Sequence, residues 1–298
     1  MGKKISQDKI RTWFVTGASS GVGYKLSLEL LKRGYNVIAV ARRVPNIEHE
    51  NVLCLFCDVT QPKTIKHAMQ KGIEKFGKID VLSNNAGISA TISCEEETLE
   101  HLKQVMEVNY FGTFNTINAL LPHFRQNKNG TIINNTSMHG LSIRYGGSAY
   151  CSSKHAIEGL TGVCWHECSA FCRAMTFQLG FFGGTAISQN DGVKTYIEEY
   201  QKVEPFYKKI WNNFHNDLDV AIPIIVDQVE QEKLPRRLTL GKDAYIKVKS
   251  EIECLKKDLA KSKRRALKCA KFDKDFIRRV INKIFKVLLR TNKELIRR

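Results

Sequence analysis

The sequence predicts an α/β fold: a doubly wound, parallel-sheet Rossmann architecture of three layers (α/β/α), followed by a basic helical tail. Three observations carry this expectation. Short apolar, strand-like runs alternate with amphipathic helical runs through roughly the first 180 residues, the pattern of successive βαβ units. A glycine-rich turn, Thr16-Gly-Ala-Ser-Ser-Gly-Val-Gly23, follows the first strand and opens the first helix. The residues with chemical capability fall just after the strands, at the edge where such sheets bind their ligands.

Each element has its own signal. The run 11–16 is short and apolar, as a buried strand is, and 24–33 places Leu26, Leu30 and Leu31 on one face of a helix that Gly34 ends. Strands are expected at 35–41 and 52–57, a helix at 64–76 stopped by Gly77, and a strand at 79–83. Residues 99–126 carry one long helical pattern. A fifth strand at 130–135, a helix at 149–172 and a sixth strand at 175–179 complete the alternation.

A chain of 298 residues has room for one such domain plus an extension. We place the Rossmann domain at 1–258, with a lid-like segment over about 186–232, and the extension at 259–298. The composition, 43% hydrophobic and 26% charged, is that of a folded protein and excludes a disordered chain. The net charge of +17 is unevenly held: residues 241–298 carry 20 Lys and Arg against 7 Asp and Glu, the first 240 residues 27 against 23. No apolar stretch is long enough to span a bilayer, and the first ten residues lack a secretory apolar core, so a cytoplasmic protein with reduced thiols is expected. Among the nine cysteines, Cys54 and Cys57 form C-x-x-C inside a strand, where i and i+3 face opposite sides, which disfavours a shared metal. Cys164, Cys168 and Cys172 repeat at helical spacing near His166 and read as small core residues. No metal site is expected.

At the glycine turn, Gly17, Gly21 and Gly23 let the backbone approach a pyrophosphate, with Ser19, Ser20 and Val22 completing the cradle at a helix N-terminus. The second strand ends in Arg42-Arg43, with no acidic residue to bond a ribose 2′-hydroxyl; two guanidiniums suit a 2′-phosphate, so NADP(H) is preferred over NAD(H). Asp58 and Val59 after the third strand face the expected adenine, and Asn84-Asn85-Ala86-Gly87 after the fourth offers short polar side chains beneath the cofactor; ordinary turn chemistry is the rival reading of both. Ser137 follows the fifth strand, Tyr150 lies thirteen residues on, and Lys154 four after that, on the same helix face as Tyr150. A phenol near pKa 10 is a poor base at neutral pH. An adjacent ammonium favours its ionised form and makes it a usable general acid or base, while a serine hydroxyl can hold the substrate oxygen.

In these motifs the sequence resembles the short-chain dehydrogenase/reductase family, in its single-domain branch, over residues 10–180. The resemblance rests on Thr16–Gly23, Asp58, Asn84–Gly87, Ser137, Tyr150 and Lys154. It implies that Asn109 is the fourth member of a catalytic tetrad, holding a water that links Lys154 to solvent. It further implies that Ser137 orients the substrate oxygen, Tyr150 transfers the proton, and Lys154 tunes Tyr150 and bonds the nicotinamide ribose. A homodimer or homotetramer is implied as well. The expected activity is hydride transfer between NADP(H) and a carbonyl or alcohol. The alternative is an NADP(H)-binding scaffold or sensor that works through its tail.

The sequence departs from the family after the sixth strand. Leu179 stands where a proline is usual, and Thr185, with Gly180 the expected contact to the nicotinamide amide, lies one residue further on than usual. Beyond it, Tyr196, Tyr200, Phe206, Tyr207, Trp211 and Phe214 either wall a pocket for a lipophilic carbonyl or pack the lid onto the sheet. Residues 234–244 resemble the segment that places the family's last strand and helix. In the tail, Phe276, Ile277, Val280, Ile281, Ile284, Phe285 and Leu288 recur at helical spacing opposite Arg278, Arg279, Lys283, Lys286 and Arg290. Such a helix suits docking on its own domain or a sister subunit, or lying on an anionic membrane surface. Nucleic acid is disfavoured because interleaved aromatics and a binding motif are missing. Met1-Gly-Lys-Lys-Ile-Ser6 also fits the pattern for N-myristoylation, which would supply a second membrane signal.

Overall fold

The computed structural model describes residues 11–182, 197–199, 201–202, 205, 209, 216–269 and 278–283. They belong to two units, Met1–Lys247 and Val248–Arg298. The first unit is the predicted α/β domain. Its strands are β1 (Thr12–Thr16), β2 (Asn36–Ala41), β3 (Val52–Phe56), β4 (Val81–Asn84), β5 (Thr131–Asn135), β6 (Arg173–Leu179) and β7 (Arg237–Leu240). All pair in parallel, in the order β3-β2-β1-β4-β5-β6-β7. The chain runs outward from β1 to β3, then crosses to the other side of β1 to lay down β4. The carboxyl ends of β1 and β4 therefore flank the crevice where the strand order reverses.

Helices α1 (Gly21–Lys32), α2 (Pro62–Phe76), α3 (Leu99–Met106), α4 (Gly112–Asn127), α5 (Ser148–Glu167) and α6 (Leu218–Glu230) cover the sheet. Because side chains alternate along a strand, β1 serves both layers. Trp13 and Val15 pack with Leu26 and Leu30 of α1 and with Ile222 and Ile225 of α6. Phe14 turns the other way, into Ile65 of α2 and Leu120 and Phe124 of α4. Cys164, Cys168 and Cys172 are buried in that second cluster, and burial pushes their thiols up, as fits small core residues.

Most element ends fall within two residues of expectation, and three differences are larger. Helix α1 begins at Gly21, three residues early, because the glycines of the turn form its first turn. The helix expected over 149–172 ends at Glu167, and Cys168–Cys172 turn into β6. The run 99–126 is interrupted: α3 passes into a π-helical turn, Glu107–Phe111, before α4 resumes. Helix α7 (Lys242–Lys268) follows β7 and runs through position 258, where we expected the domain to end. Among the described residues, no helix is long and apolar enough to cross a membrane.

Candidate active site

The crevice is built from two turns that touch. Thr16, at the end of β1, accepts hydrogen bonds at Oγ1 from the amides of Asn85 (3.0 Å) and Ala86 (3.2 Å). This draws the turn after β4 against the glycine turn. Gly17 has φ +65°, and a Cβ there would stand 2.8 Å from the Ala86 nitrogen. A Cβ on Gly23 would stand 2.6 Å from the Gly17 carbonyl oxygen. Only glycine fits either position. Ser20 occupies the cap position of α1 without a side-chain capping bond, so the first amides of Gly21, Val22 and Gly23 present a positive helix end to the crevice. Asn85 donates to Ser83, while its buried Oδ1 finds no partner among the described residues. A glycine cradle, an uncapped helix end and an orphaned acceptor together fit a dinucleotide.

At the end of β2, Arg42 and Arg43 are exposed, and Arg43 donates to the Ser19 carbonyl (3.3 Å), joining the strand end to the glycine turn. Asp58 is engaged locally: Oδ1 accepts from the amide (3.0 Å) and hydroxyl (2.8 Å) of Thr60. Val59 is buried, and its side chain packs where a Cβ on Gly112 would collide with it.

The structure gathers Ser137, Tyr150, Lys154 and Asn109 beside this crevice. Ser137 has φ +63° and ψ 162°, a backbone region that L-residues avoid at a cost of about 1–3 kcal/mol. Its hydroxyl lies beside the Tyr150 phenol, whose pKa it lowers, and donates to the Leu179 carbonyl, 3.4 Å away. Tyr150 and Lys154 are one turn apart on α5; Lys154 Nζ lies 5.6 Å from the phenol ring centre and donates to the Asn135 carbonyl (2.7 Å). Gly87 brings the turn after β4 close, since a Cβ there would lie 3.7 Å from Lys154 Nζ and 3.2 Å from Asn109 Oδ1.

Asn109 sits in the π turn and is fully buried. It accepts from the Ile88 amide (2.8 Å) and donates to the Ile88 carbonyl (3.0 Å) and Ser153 hydroxyl (2.9 Å). Its side chain thus ties the segment after β4 to α5. The Thr113 hydroxyl takes its backbone carbonyl at 2.7 Å.

The electrostatics differ from the simple expectation. Burial pushes the Tyr150 phenol up, while the Ser137 bond and the Arg144 guanidinium pull it down. Burial also draws Lys154 down to about 8. The expectation that the lysine lowers the tyrosine omitted burial, which disfavours the charged form of both groups.

Several neighbours escaped the sequence reading. Arg144 lies 5.4 Å from the Tyr150 ring centre and donates to Thr91, Ser89 and the Ala90 carbonyl, fastening the segment after β4 beside the tyrosine. His139 is buried edge-on to Tyr150 and Phe181, held down to about 3, chiefly by burial. A buried chain of Thr116, Asn84, Asn134 and Thr161 joins α4, β4, β5 and α5 beneath the site. Of these only Asn84 belongs to a motif, the Asn84–Gly87 turn; for the rest the polar composition of β4 and β5 at their carboxyl ends is the only sequence signal. Leu179 continues β6 as an ordinary strand residue, and Asp243 then locks the bend by accepting from the Phe181 amide (2.7 Å) and pressing on Gly180. Thr185 and the aromatic residues of the lid from Tyr196 to Phe214 lie outside the described residues.

Known proteins resemble this chain over most of its length. A profile of the short chain dehydrogenase family matches residues 11–195. The chain is 31% identical over 248 residues to an oxidoreductase, BOA17, of Botryotinia fuckeliana, covering 78% of this chain and 90% of that one. It is 27% identical over 281 residues to an uncharacterised oxidoreductase of Schizosaccharomyces pombe, covering 89% and 93%. Among solved structures, a short-chain dehydrogenase from Streptomyces avermitilis superposes with a TM-score of 0.79 at 25% identity, over 88% of this chain and all of that one.

Proposed function

The chain belongs to the short-chain dehydrogenase/reductase family of oxidoreductases, and on that premise we propose that it moves a hydride between NADP(H) and a carbonyl compound or alcohol of lipophilic character, with Tyr150 as the proton donor or acceptor. The observation that carries the reading is the convergence of Ser137, Tyr150 and Lys154 beside a crevice only glycine can line.

In this reading the turn Gly17–Gly23, with Asn85, Ala86 and Gly87, holds the dinucleotide, and Arg42 and Arg43 receive a 2′-phosphate. The cofactor, when bound, supplies or takes the hydride. Ser137 holds the substrate oxygen through the hydroxyl that now meets Tyr150. Its strained backbone fixes the direction of that hydroxyl before substrate arrives. Tyr150 gives its proton to the oxygen in reduction and takes it back in oxidation. Ser137 and Arg144 oppose the burial that holds the phenol neutral, and Lys154, one turn away, would bond the nicotinamide ribose. Asn109 keeps the π turn in place, tying Ile88 to Ser153 of α5, and as the fourth tetrad member it would hold a water that links Lys154 to solvent. The protein works as a cytoplasmic homo-oligomer.

The test is NADPH consumption by the purified chain across aldehydes, steroid ketones, retinal and quinones, with Tyr150→Phe alongside. Turnover that the variant loses by about a thousandfold or more supports the assignment. NADPH binding with no turnover on any substrate would instead favour a scaffold acting through the tail.

A further inference from the structure

Helix α7 continues well past the α/β unit, and its second half carries an apolar seam in heptad register. Taking Tyr245 as position a, Ile252, Leu259 and Ala266 fall at a, and Val248, Leu255, Ser262 and Cys269 at d. Val248 is buried, but from Ile252 onward the seam is bare: Ile252 is 42%, Leu255 61% and Leu259 73% exposed. Residues flanking the seam are ordered by charge. Lys249, Lys256 and Lys263 occupy e, and Glu251 and Asp258 occupy the first two g positions, with Arg265 at the third.

This pattern selects one occupant. In a parallel pair, g of one helix meets the next e of the other, so Glu251 faces Lys256 of the partner subunit and Asp258 faces Lys263 of the partner subunit, twice over by symmetry. An antiparallel pair would set the e lysines against one another. The chain's own apolar segment 276–288 is a poor alternative, because Arg278, Arg279 and Lys283 would meet the same lysine row. Within the chain, Lys256 pairs with Glu253 and Lys261 with Asp258, on the surface, where such pairs contribute little and release easily. The first bare layer, Ile252 at a with Leu255 at d, has the two-stranded preference.

We propose that residues 251–268 of α7 form a parallel two-stranded coiled coil with a second copy of this chain. The seam is short, so it acts together with whatever surface the enzyme bodies share, the second contact being made at high effective concentration. It ties the extensions of two subunits side by side, so that their basic tails emerge as a pair.

Cysteine cross-linking in the full chain tests this. Exposed Cys94, Cys254 and Cys269 are replaced by Ser, and either Leu255→Cys (position d) or Lys257→Cys (position f) is added. Under diamide, Leu255→Cys should form a disulfide dimer about tenfold faster than Lys257→Cys, since a d position faces its counterpart across the seam while an f position points away from it. Adding Lys256→Glu and Lys263→Glu should slow that reaction about fivefold, and further adding Glu251→Lys and Asp258→Lys should restore it. Equal rates at the two positions, or a dimer indifferent to charge reversal, would overturn the proposal. So would a Leu255→Cys thiol that neither cross-links nor alkylates, which would mean that the chain's own tail covers the seam.

Discussion

Tyr150 and Lys154 were legible as a pair because i and i+4 share a helix face. Their titration was not legible, because it depends on what covers them. Lys154 is drawn to about 8 from 10.5 by burial alone. Between those values the unfolded chain binds more protons than the folded one, so stability rises with pH through that window and is lost as pH falls through 8. Relative to Lys154→Met, the ligand-free protein should gain about 2 kcal/mol between pH 7.5 and 10 in urea unfolding. His139, held near 3 against 6.5, has the same sign at lower pH: its contribution is complete above 6.5 and lost on acidification. Replacing it with Phe should therefore flatten the acid limb of a stability profile between pH 6.5 and 4. Cofactor choice rests on a single exposed pair. Arg42→Ala should raise the Kd for NADPH at least about tenfold while changing that for NADH less than about threefold, measured by fluorescence titration; equal losses would remove the NADP(H) assignment.

The turns and helix ends show why position in an element governs which substitutions matter. Gly23 lies in the first turn of α1, against the Gly17 carbonyl, and both neighbours are backbone that cannot step aside. Gly23→Ala should cost about 1–3 kcal/mol in thermal unfolding and weaken NADPH binding, whereas Gly159, with open space around it on α5, should accept alanine with a gain. The π turn behaves differently. Its widened backbone presents Asn109 to Ile88 and Ser153, three hydrogen bonds that an unbroken helix from 99 to 126 would misplace. Periodicity reads the apolar face of a helix and is blind to one extra residue in a turn, so the interruption was invisible in the sequence.

Across the molecule, charge and packing divide in the same place. The α/β body is nearly neutral, and the region from 241 onward holds most of the net charge. That asymmetry motivates a membrane test alongside the cross-linking experiment. With vesicles containing anionic phosphatidylserine, the full chain should float and the chain lacking 260–298 should not, and the difference should shrink at high salt. Flotation unaffected by the deletion would free the tail from any membrane role.

The fold was readable from local features, since alternating periodicity, a glycine turn and right-handed crossovers leave few ways to assemble such a chain. Ser137, Tyr150 and Lys154 were readable as residue types at fixed spacings after a strand, whereas Asn109 came only from the family resemblance. Folding added the juxtapositions between remote segments. Thr16 clamps the turn after β4, Arg144 lies over Tyr150, and Asp243 bends the chain after Leu179. Burial is likewise a property of the assembled layers, and it moves Tyr150 up and Lys154 down. Spacing along a chain encodes which side chains share a face; it carries no record of which distant segments will close over them, and desolvation and close packing depend on that closure.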